Sequence, residues 1–390
     1  MQAAMLSAWW LLVALALALS CVRGASVPVN GLPANLLSPP VPLDPGAPVI
    51  SSTIDLFTVP KRPRAVLGYM SDKDWALSEF VCMHHASWRY LSRASKTKID
   101  LFAFSHPGWA TSALSRLCTP VDLDKPFVPE THSHCYVIYY PVPPPEIWHG
   151  YPFINNVHFF ADERVRAMIT TNYGYVMKTD FDTFLAPMFP VVVPERLIFG
   201  KMLYQIENET AARLVRIAGD LGLRHDGRHN IGPTWLGDAD TIFELGNRTI
   251  PVLYHILTKE FEQVPGGGVA QKFLEGEGWP TWCAGIAAMY ATEIVANAQV
   301  EAFNVSDRMD VHGDSGWAVD EVIHIHCQHG DGHFNKFEFL KHHYDSIEDL
   351  SAVTLSSVRG YATKLAVSSW RMMTGQPQKL PKKQKVEKEL

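Results

Sequence analysis

The sequence has few of the features that mark membrane-spanning or nucleic-acid-binding proteins. Its longest apolar run, residues 8–22, is shorter than the roughly 20 residues that cross a bilayer. Asp and Glu number 40 against 34 Lys and Arg, for a formal net charge of −6. This balance does not favour binding to nucleic acid or to anionic lipid. The six cysteines contain no CxxC pair, which excludes a zinc knuckle.

The composition indicates a globular chain with a large core. The 390 residues are 47% hydrophobic and 19% charged, as in folded domains and unlike disordered or fibrous chains. We therefore expect one large domain with appendages, and a small or neutral binding partner.

Both ends of the chain differ from the middle. Residues 1–24 resemble a signal peptide cleaved after Gly24, although no Lys or Arg precedes the apolar run, so an uncleaved signal anchor is the alternative and the one expected membrane contact. Residues 25–60 are proline-rich and predict an extended stem. Residues 376–390 form a basic flexible tail. With three Asn-x-Ser/Thr sequons, this indicates the secretory pathway (Golgi or endoplasmic reticulum lumen) or secretion.

The body of the chain predicts an α/β fold. Short β-rich runs at residues 65–70, 99–104, 135–140 and 175–177 alternate with helical stretches. We assign residues 61–345 to a catalytic domain and residues 346–375 to a helical extension. The fourth run ends just before Asp180, and open α/β sheets bind ligands beyond the carboxyl ends of their strands.

Asp180 and Asp182 are the first candidate metal ligands. Alternate side chains of an extended backbone point to the same side, so the two carboxylates give a hard oxygen site for Mn²⁺ or Mg²⁺. The chain has four D-x-D triplets, of which this one and the one at residues 72–74 follow a predicted strand; the triplet at 72–74 runs directly into an expected helix. A solvated turn is the alternative interpretation.

Residues 176–187 (VMKTDFDTFLAP) resemble the strand, DxD motif and exit segment of GT-A fold glycosyltransferases. The resemblance implies a Rossmann-like mixed sheet flanked by helices, a nucleotide-sugar donor, and transfer of the sugar to a glycan or glycoprotein. The whole sequence is also similar to an uncharacterised family of algae and other protists, described as a domain of unknown function.

The same resemblance implies further donor-site residues. Such enzymes often complete the metal shell with a late histidine and contact the diphosphate with a following lysine, a pattern that His326 and Lys336 match. His324 and His329 are alternatives to His326. Lys178 is a further candidate for binding phosphate. Asp320 is a catalytic candidate that, with Glu321, would orient an imidazole; the alternative is that these two residues are the exposed start of a strand.

The acceptor side is expected beyond the DxD motif. The turn at Asn230-Ile231-Gly232 resembles the Asn-x-Gly turn that shapes the acceptor site in these enzymes, and Trp235 and Trp279 are candidates for stacking on sugars. Glu277, before an expected helix at residues 283–300, is the candidate catalytic carboxylate. The alternative is a carboxylate favoured by the helix dipole.

Two other functions fit the sequence. The histidines at residues 324–333 could bind Zn²⁺ with an aspartate or Cys327 and make a secreted metallohydrolase. Alternatively, the fold is kept without activity and the protein binds glycans. The donor, the acceptor and the stereochemical outcome are left open.

Overall fold

The protein is described by a computed structural model that covers residues 62–140, 151–204, 208–265, 268–274, 277–278, 282–327, 334–347 and 349–375. The predicted signal segment, the stem and the basic tail lie outside these residues. In the described part, no helix is both long enough and apolar enough to cross a membrane.

The predicted α/β fold is confirmed. All four predicted strands form, each with one bound that differs by a single residue, because β-branched and aromatic residues at these places are buried on both faces of the sheet. The strands are β1 Arg64–Met70, β2 Ile99–Ser105, β3 Thr119–Pro120, β4 Cys135–Tyr139, β5 Tyr175–Lys178, β6 Thr183–Leu185, β7 Leu197–Lys201, β8 Ile231–Asp238, β9 Phe303–Ser306, β10 Val311–His312 and β11 His324–His326.

The main sheet is mixed and has eight strands in the order β3-β4-β2-β1-β5-β8-β7-β9. Every neighbouring pair is parallel except the two pairs that involve β8, which runs against both β5 and β7. All strands but β8 therefore end at the same edge, which we call the carboxyl edge. A second sheet of three strands, in the order β10-β11-β6, lies after the DxD segment.

Helices cover both faces of the main sheet. They are α1 Asp74–Glu79, α2 His85–Ala94, α3 Trp109–Leu117, α4 Asn155–His158, α5 Glu163–Asn172, α6 Asn208–Asp220, α7 Ala239–Lys259, α8 Gln271–Leu274, α9 Ala287–Gln299, α10 Lys336–Leu340 and α11 Val358–Thr374. A π-helical segment, Phe80–His84, joins α1 to α2. Short 3₁₀ turns occupy Pro152–Ile154, Phe159–Ala161, Ala284–Ile286, Val319–Glu321 and Leu350–Ala352.

Two hydrophobic clusters form the core, one on each face of the sheet. Because side chains alternate along a strand, Ala65 and Leu67 of β1 belong to one cluster and Val66 to the other. The predicted C-terminal extension contributes α11 to the second cluster, and the Tyr361 hydroxyl of α11 donates to the carbonyl oxygen of Leu185 at 2.9 Å. The extension is thus packed into the core beside β6.

One disulfide, Cys118–Cys135, links the end of α3 to the start of β4. Cys82, Cys283 and Cys327 are free thiols and are buried. The sequence allowed two bridges at most after loss of Cys21, and the described residues form one.

Candidate functional site

The DxD segment lies at the carboxyl edge, in the short connection between β5 and β6. The backbone N–H of Thr179 still donates to Leu67 at 2.9 Å and extends the ladder with β1. After this residue the chain leaves the main sheet, and Thr183 begins β6 of the small sheet. Asp180 and Asp182 therefore occupy the crossing from one sheet to the other.

Phe181, between the two aspartates, fixes the shape of this connection by packing its ring into the core. Its ring lies 4.8 Å from the ring of Phe80 and 5.0 Å from that of His84 (centroid distances). Gly68 of β1 makes room for it, since a Cβ at Gly68 would come within 2.4 Å of the Phe181 ring. The Thr183 hydroxyl donates to the Asp180 carbonyl at 2.6 Å and closes the turn. With Phe181 held in the core, its two neighbours point away from the core.

The small sheet brings His326 and Lys336 to the same place. Strand β11 pairs antiparallel with β6 so that His326 lies opposite Thr183, next to Asp182. Nε2 of His326 lies 3.5 Å from Oδ1 of Asp182. Lys336, at the start of α10, forms an ion pair with the other carboxylate oxygen of Asp182. Residues about 150 positions apart are thereby joined.

Asp310 is the carboxylate that orients the histidines. It is buried, and its Oδ1 lies 3.1 Å from Nδ1 of His324 and 3.5 Å from Nδ1 of His326. The Thr234 hydroxyl donates to the same oxygen at 2.6 Å. Such a partner fixes the orientation of an imidazole and the location of its proton. Sequence analysis assigned this role to Asp320, which is instead exposed in a 3₁₀ turn, so that assignment was wrong.

The absence of side chains at two glycines leaves room for the Asp310 carboxylate beside the main sheet. A Cβ at Gly200 would lie 1.8 Å from Oδ2 of Asp310, and one at Gly232 would lie 2.4 Å from it. Asp310 also has a left-handed backbone, with φ of 57°, a conformation that aspartate tolerates better than most residues. No motif in the sequence marks this combination, and this is why Asp310 was missed.

The charges at the site compensate one another. Burial opposes ionisation of Asp182, but Lys336 and then His326 outweigh it and hold the pKa of Asp182 well below its usual range. Burial likewise opposes the charge on His326, but Asp182 and Asp310 raise the pKa of that imidazole to about 10. In the absence of a metal ion, the positive charges of Lys336 and His326 therefore balance the negative charges of Asp182 and Asp310.

Glu79 is a further acidic group here that sequence analysis missed. It ends α1 directly before the π-helical segment, is 6% exposed, and interacts electrostatically with Lys336, Asp182 and His326. Burial raises the pKa of Glu79, and Lys336 opposes this shift. π-helical turns often lie at functional sites, but in the sequence Glu79 is only an acid that precedes the apolar run 80–83.

Asp180, Asp182 and His326 suit a divalent cation. One ligand atom from each lies within 4.8 Å of the others. Two carboxylates and one imidazole match the preferences of Mn²⁺, and the carboxylates those of Mg²⁺. The set leaves coordination positions for a ligand and water. The residues present thus fit the metal that the sequence predicts.

Lys178 and Asn156 hold Asp180. Nζ of Lys178 lies 3.5 Å from Oδ1 of Asp180 and donates to the Pro233 carbonyl at 3.0 Å, and Nδ2 of Asn156 donates to Oδ1 of Asp180 at 3.2 Å. The Lys178 side chain is only 5% exposed. It is placed at the predicted site, where its ammonium contacts Asp180 and the Pro233 carbonyl and lies 5.3 Å from the centroid of the Trp235 ring.

The side chain of His324, the first alternative to His326 as a metal ligand, points into the protein interior. It is fully buried, with Nδ1 towards Asp310 and Nε2 2.9 Å from the Thr179 hydroxyl. Both ring nitrogens therefore have protein partners. His329, the other alternative, lies outside the described residues, as does the rest of the histidine run after Cys327.

The predicted acceptor residues are dispersed. Asn230 has a φ of 65° and directly precedes β8 at the carboxyl edge, where its carbonyl accepts from the Met202 N–H at 3.0 Å. Gly232 is part of β8, so the expected Asn-x-Gly turn is the start of a strand. Trp235 is 2% exposed and stacks on Phe160, with 5.6 Å between ring centroids. An acceptor could not reach Trp235 without opening the core, so its predicted role was wrong.

Glu277, the candidate catalytic carboxylate, is not part of the group around Asp182. Glu277 is exposed, and its nearest cation is Lys272 at 3.8 Å. Trp279 lies outside the described residues. The expected helix at 283–300 is α9, Ala287–Gln299, after a 3₁₀ turn.

A second group of possible metal ligands, His225, His229 and Glu293, lies on the other face of the sheet. Oε1 of Glu293 is 2.6 Å from Nδ1 of His229 and 3.5 Å from Nε2 of His225, and the Tyr204 hydroxyl donates to Oε2. The N–H of Gly227 donates to Nδ1 of His225 at 3.1 Å, which leaves the ring proton on Nε2, facing Glu293. In this group the His229 ring and the Tyr204 hydroxyl are bonded to the buried carboxylate, whereas Nε2 of His225 lies near it without forming a hydrogen bond among the described residues.

Comparison with known proteins gives one match. Residues 60–390 match the model of a family described as a domain of unknown function, DUF7164. No curated protein matches the chain. The match covers all of the residues that build the site around Asp182.

Proposed function

The chain belongs to the DUF7164 family, and we propose that it is a glycosyltransferase that moves a sugar from a nucleotide-sugar donor to a glycan or glycoprotein acceptor. The donor diphosphate binds through Mn²⁺ or Mg²⁺ at the carboxyl edge. The single observation that carries the proposal is the convergence of Asp180 and Asp182, from the connection between β5 and β6, with His326 of β11, and with Lys336 beside them.

The location supports the proposal as well as the ligands do. The group lies beyond the carboxyl ends of β1 and β5, where open α/β sheets bind nucleotides and related ligands. The mixed sheet agrees with the Rossmann-like architecture that the resemblance implies. A purely structural role would not need three such ligands with open coordination positions, two of them partly accessible.

The chemistry follows from the side chains. Asp180, Asp182 and His326 would hold the cation, which when bound neutralises charge on a leaving diphosphate. Asp310 keeps His326 oriented, and Asn156 and Lys178 keep Asp180 in place. Lys336, the cation at the rim, would turn from Asp182 to the diphosphate and stabilise its charge. An acceptor would approach from the side of Asn230, at the same edge.

The compartment is also part of the proposal. The Cys118–Cys135 bridge supports an oxidising environment, as do the sequons and the apolar N-terminal segment of the sequence. We place the enzyme in the lumen of the Golgi or endoplasmic reticulum, or outside the cell.

The test is calorimetric titration of the protein with a panel of nucleoside diphosphates and nucleotide sugars, with Mn²⁺ and with EDTA. We expect one nucleotide to bind in Mn²⁺ and to lose its binding in EDTA. Sugar release or transfer with the matching donor then separates an enzyme from a binding protein. Glycan binding that ignores both nucleotide and metal would overturn the proposal in favour of an inactive glycan-binding protein.

Lys336→Met should change metal and diphosphate binding in opposite directions. Lys336 competes with the cation for Asp182, so its removal should strengthen the binding of Mn²⁺ alone. It also supplies a positive charge for the diphosphate, so its removal should weaken nucleoside diphosphate binding in saturating Mn²⁺. We expect about tenfold in each direction, or about 1.4 kcal/mol, measured by titration calorimetry.

Lys341→Met is the matched control, because Lys341 follows the same helix but is exposed and pairs with Glu338. It should change neither affinity. A Lys336→Met protein that binds metal and diphosphate with unchanged affinities would show that Lys336 is only a structural partner of Asp182.

A further inference from the structure

A basic cavity lies at the edge of the sheet opposite the candidate metal site. Its volume is about 490 Å³, and its walls come from α2, the end of α3 and the loop before β4. The N–H of Ile99, at the start of β2, donates to the Ser133 hydroxyl of this loop at 2.9 Å. The cavity is therefore at the amino edge, where the parallel strands begin, and this inference goes beyond the proposed function.

Three arginines face this cavity: Arg89, Arg93 and Arg116. None of them forms an ion pair with a carboxylate in the described part of the chain, whereas Arg164, Arg213, Arg216 and Arg248 all do so. His132 adds a further basic side chain, and no acidic residue lines the walls. The arrangement is a concave, uncompensated positive surface.

Arg89 shows the electrostatic strain of this arrangement. It is half-buried, and its pKa is lowered, first by burial and then by the nearby charge of Arg93. Arg93 and Arg116 each lie in the last turn of a helix, where the helix dipole favours a cation. The dipoles account for Arg93 and Arg116 taken singly, but not for Arg89 or for the convergence of all three on one cavity. An anion between them would remove the repulsion.

The walls of the cavity are held in place before any ligand arrives. Cys118, two residues after Arg116, is bonded to Cys135, two residues after Ser133. The parallel pairing of β3 with β4 continues this link. On the other wall, the Trp88 indole donates to the carbonyl of Ile99 at 2.8 Å and anchors α2. A preformed site loses less conformational entropy on binding.

We propose that this cavity binds a tetrahedral oxyanion, a sulfate or phosphate ester group; that a glycan chain carries the ester rests on the proposed function. Guanidinium groups bind such oxyanions through paired hydrogen bonds, and three of them around a cavity of about 490 Å³ have room for the group and its sugar. The distance from the carboxyl edge leaves the donor site free. The cavity would hold an anionic polymer at a second point of the molecule.

The test is direct binding to the full chain in EDTA, which removes any metal-dependent nucleotide site. The probes are inorganic sulfate, inorganic phosphate, a sulfated disaccharide, a sugar phosphate and an uncharged disaccharide, each titrated at low and high salt. We expect the esters to bind and the uncharged sugar not to bind, and we expect affinity to fall as salt screens the charges. The triple variant Arg89→Gln, Arg93→Gln, Arg116→Gln should lose at least about tenfold in affinity, the effect of about one lost charge-assisted hydrogen bond.

A control variant removes the same charge elsewhere: Arg196→Gln, Lys201→Gln, Arg308→Gln, all exposed residues. It should bind the esters as the wild type does. If the triple variant does not fold, the single change Arg116→Gln at the exposed rim should still lower affinity about threefold. Equal affinities of the cavity and control variants would overturn the proposal, as would binding of the free ions without either ester.

Discussion

Replacing Asp182 by alanine is expected to abolish sugar transfer and metal-dependent nucleotide binding together. Asp182 contributes a ligand atom to the candidate cation site and is the carboxylate that both His326 and Lys336 contact. A cation that neutralises a leaving group contributes several kcal/mol to the transition state. We expect kcat/KM to fall by at least about 10³-fold, equivalent to about 4 kcal/mol, with nucleotide affinity in Mn²⁺ reduced to its value in EDTA.

The chain supplies its own control for this experiment. Asp122 belongs to another D-x-D triplet, with Asp124, but it is exposed and pairs with Lys125. Asp122→Ala should leave transfer and binding unchanged. Circular dichroism and thermal unfolding of both variants would show that any loss is local. Transfer that survives in folded Asp182→Ala would refute the assignment of the DxD motif.

The largest effect on stability is expected from Asp310→Asn. Asp310 is buried and its carboxylate faces His324 and His326, which are buried as well. Asparagine keeps the size of the side chain and tolerates the left-handed backbone, so the change mainly removes the charge. Breaking a buried, paired charge costs roughly 3–5 kcal/mol. We expect the free energy of unfolding, measured with urea or guanidinium, to fall by about 3 kcal/mol.

Asp310→Asn should also weaken Mn²⁺ binding, because His326 loses the partner that orients it, and outer partners of this kind contribute roughly 10–100-fold in affinity. Asp314→Asn is the comparison. Asp314 pairs with His312 on the same stretch of chain but is partly exposed, so the expected loss is under about 1 kcal/mol. Equal unfolding midpoints for the two variants would contradict the role given to Asp310.

The sequence predicted four parallel strands of the first half of the chain, but not the antiparallel strand β8 that lies beside β5. Strands β1, β2, β4 and β5 were found from short runs of apolar and β-branched residues, and these strands are buried on both faces. Strand β8 was missed because Asn230 and Gly232 suggested a turn. Gly232 instead allows close packing against Asp310. No local pattern distinguishes a glycine that forms a turn from one that makes room for a neighbouring side chain.

Some residues of the candidate site could likewise be predicted from the sequence, and others could not. Asp180 and Asp182 could be found because both lie within one short motif, and His326 and Lys336 because their order along the chain resembles that of GT-A enzymes. Asp310, Glu79 and Asn156 could not be found in this way, since each joins the site through a separate element. Trp235 was misassigned because a tryptophan looks the same in a sequence whether it lies in the core or at a sugar site.

The sequence by itself determined the α/β class, the strand that leads to the DxD motif and the kind of cation that two carboxylates favour. These depend on properties of neighbouring residues: the period of side chains along a strand, the apolar runs and the hardness of oxygen ligands. The tertiary structure alone decided which histidine faces Asp182, which carboxylate orients it, and that three unpaired arginines share one cavity. Those contacts join residues far apart in the chain, and they are set by how the two sheets and their helices pack.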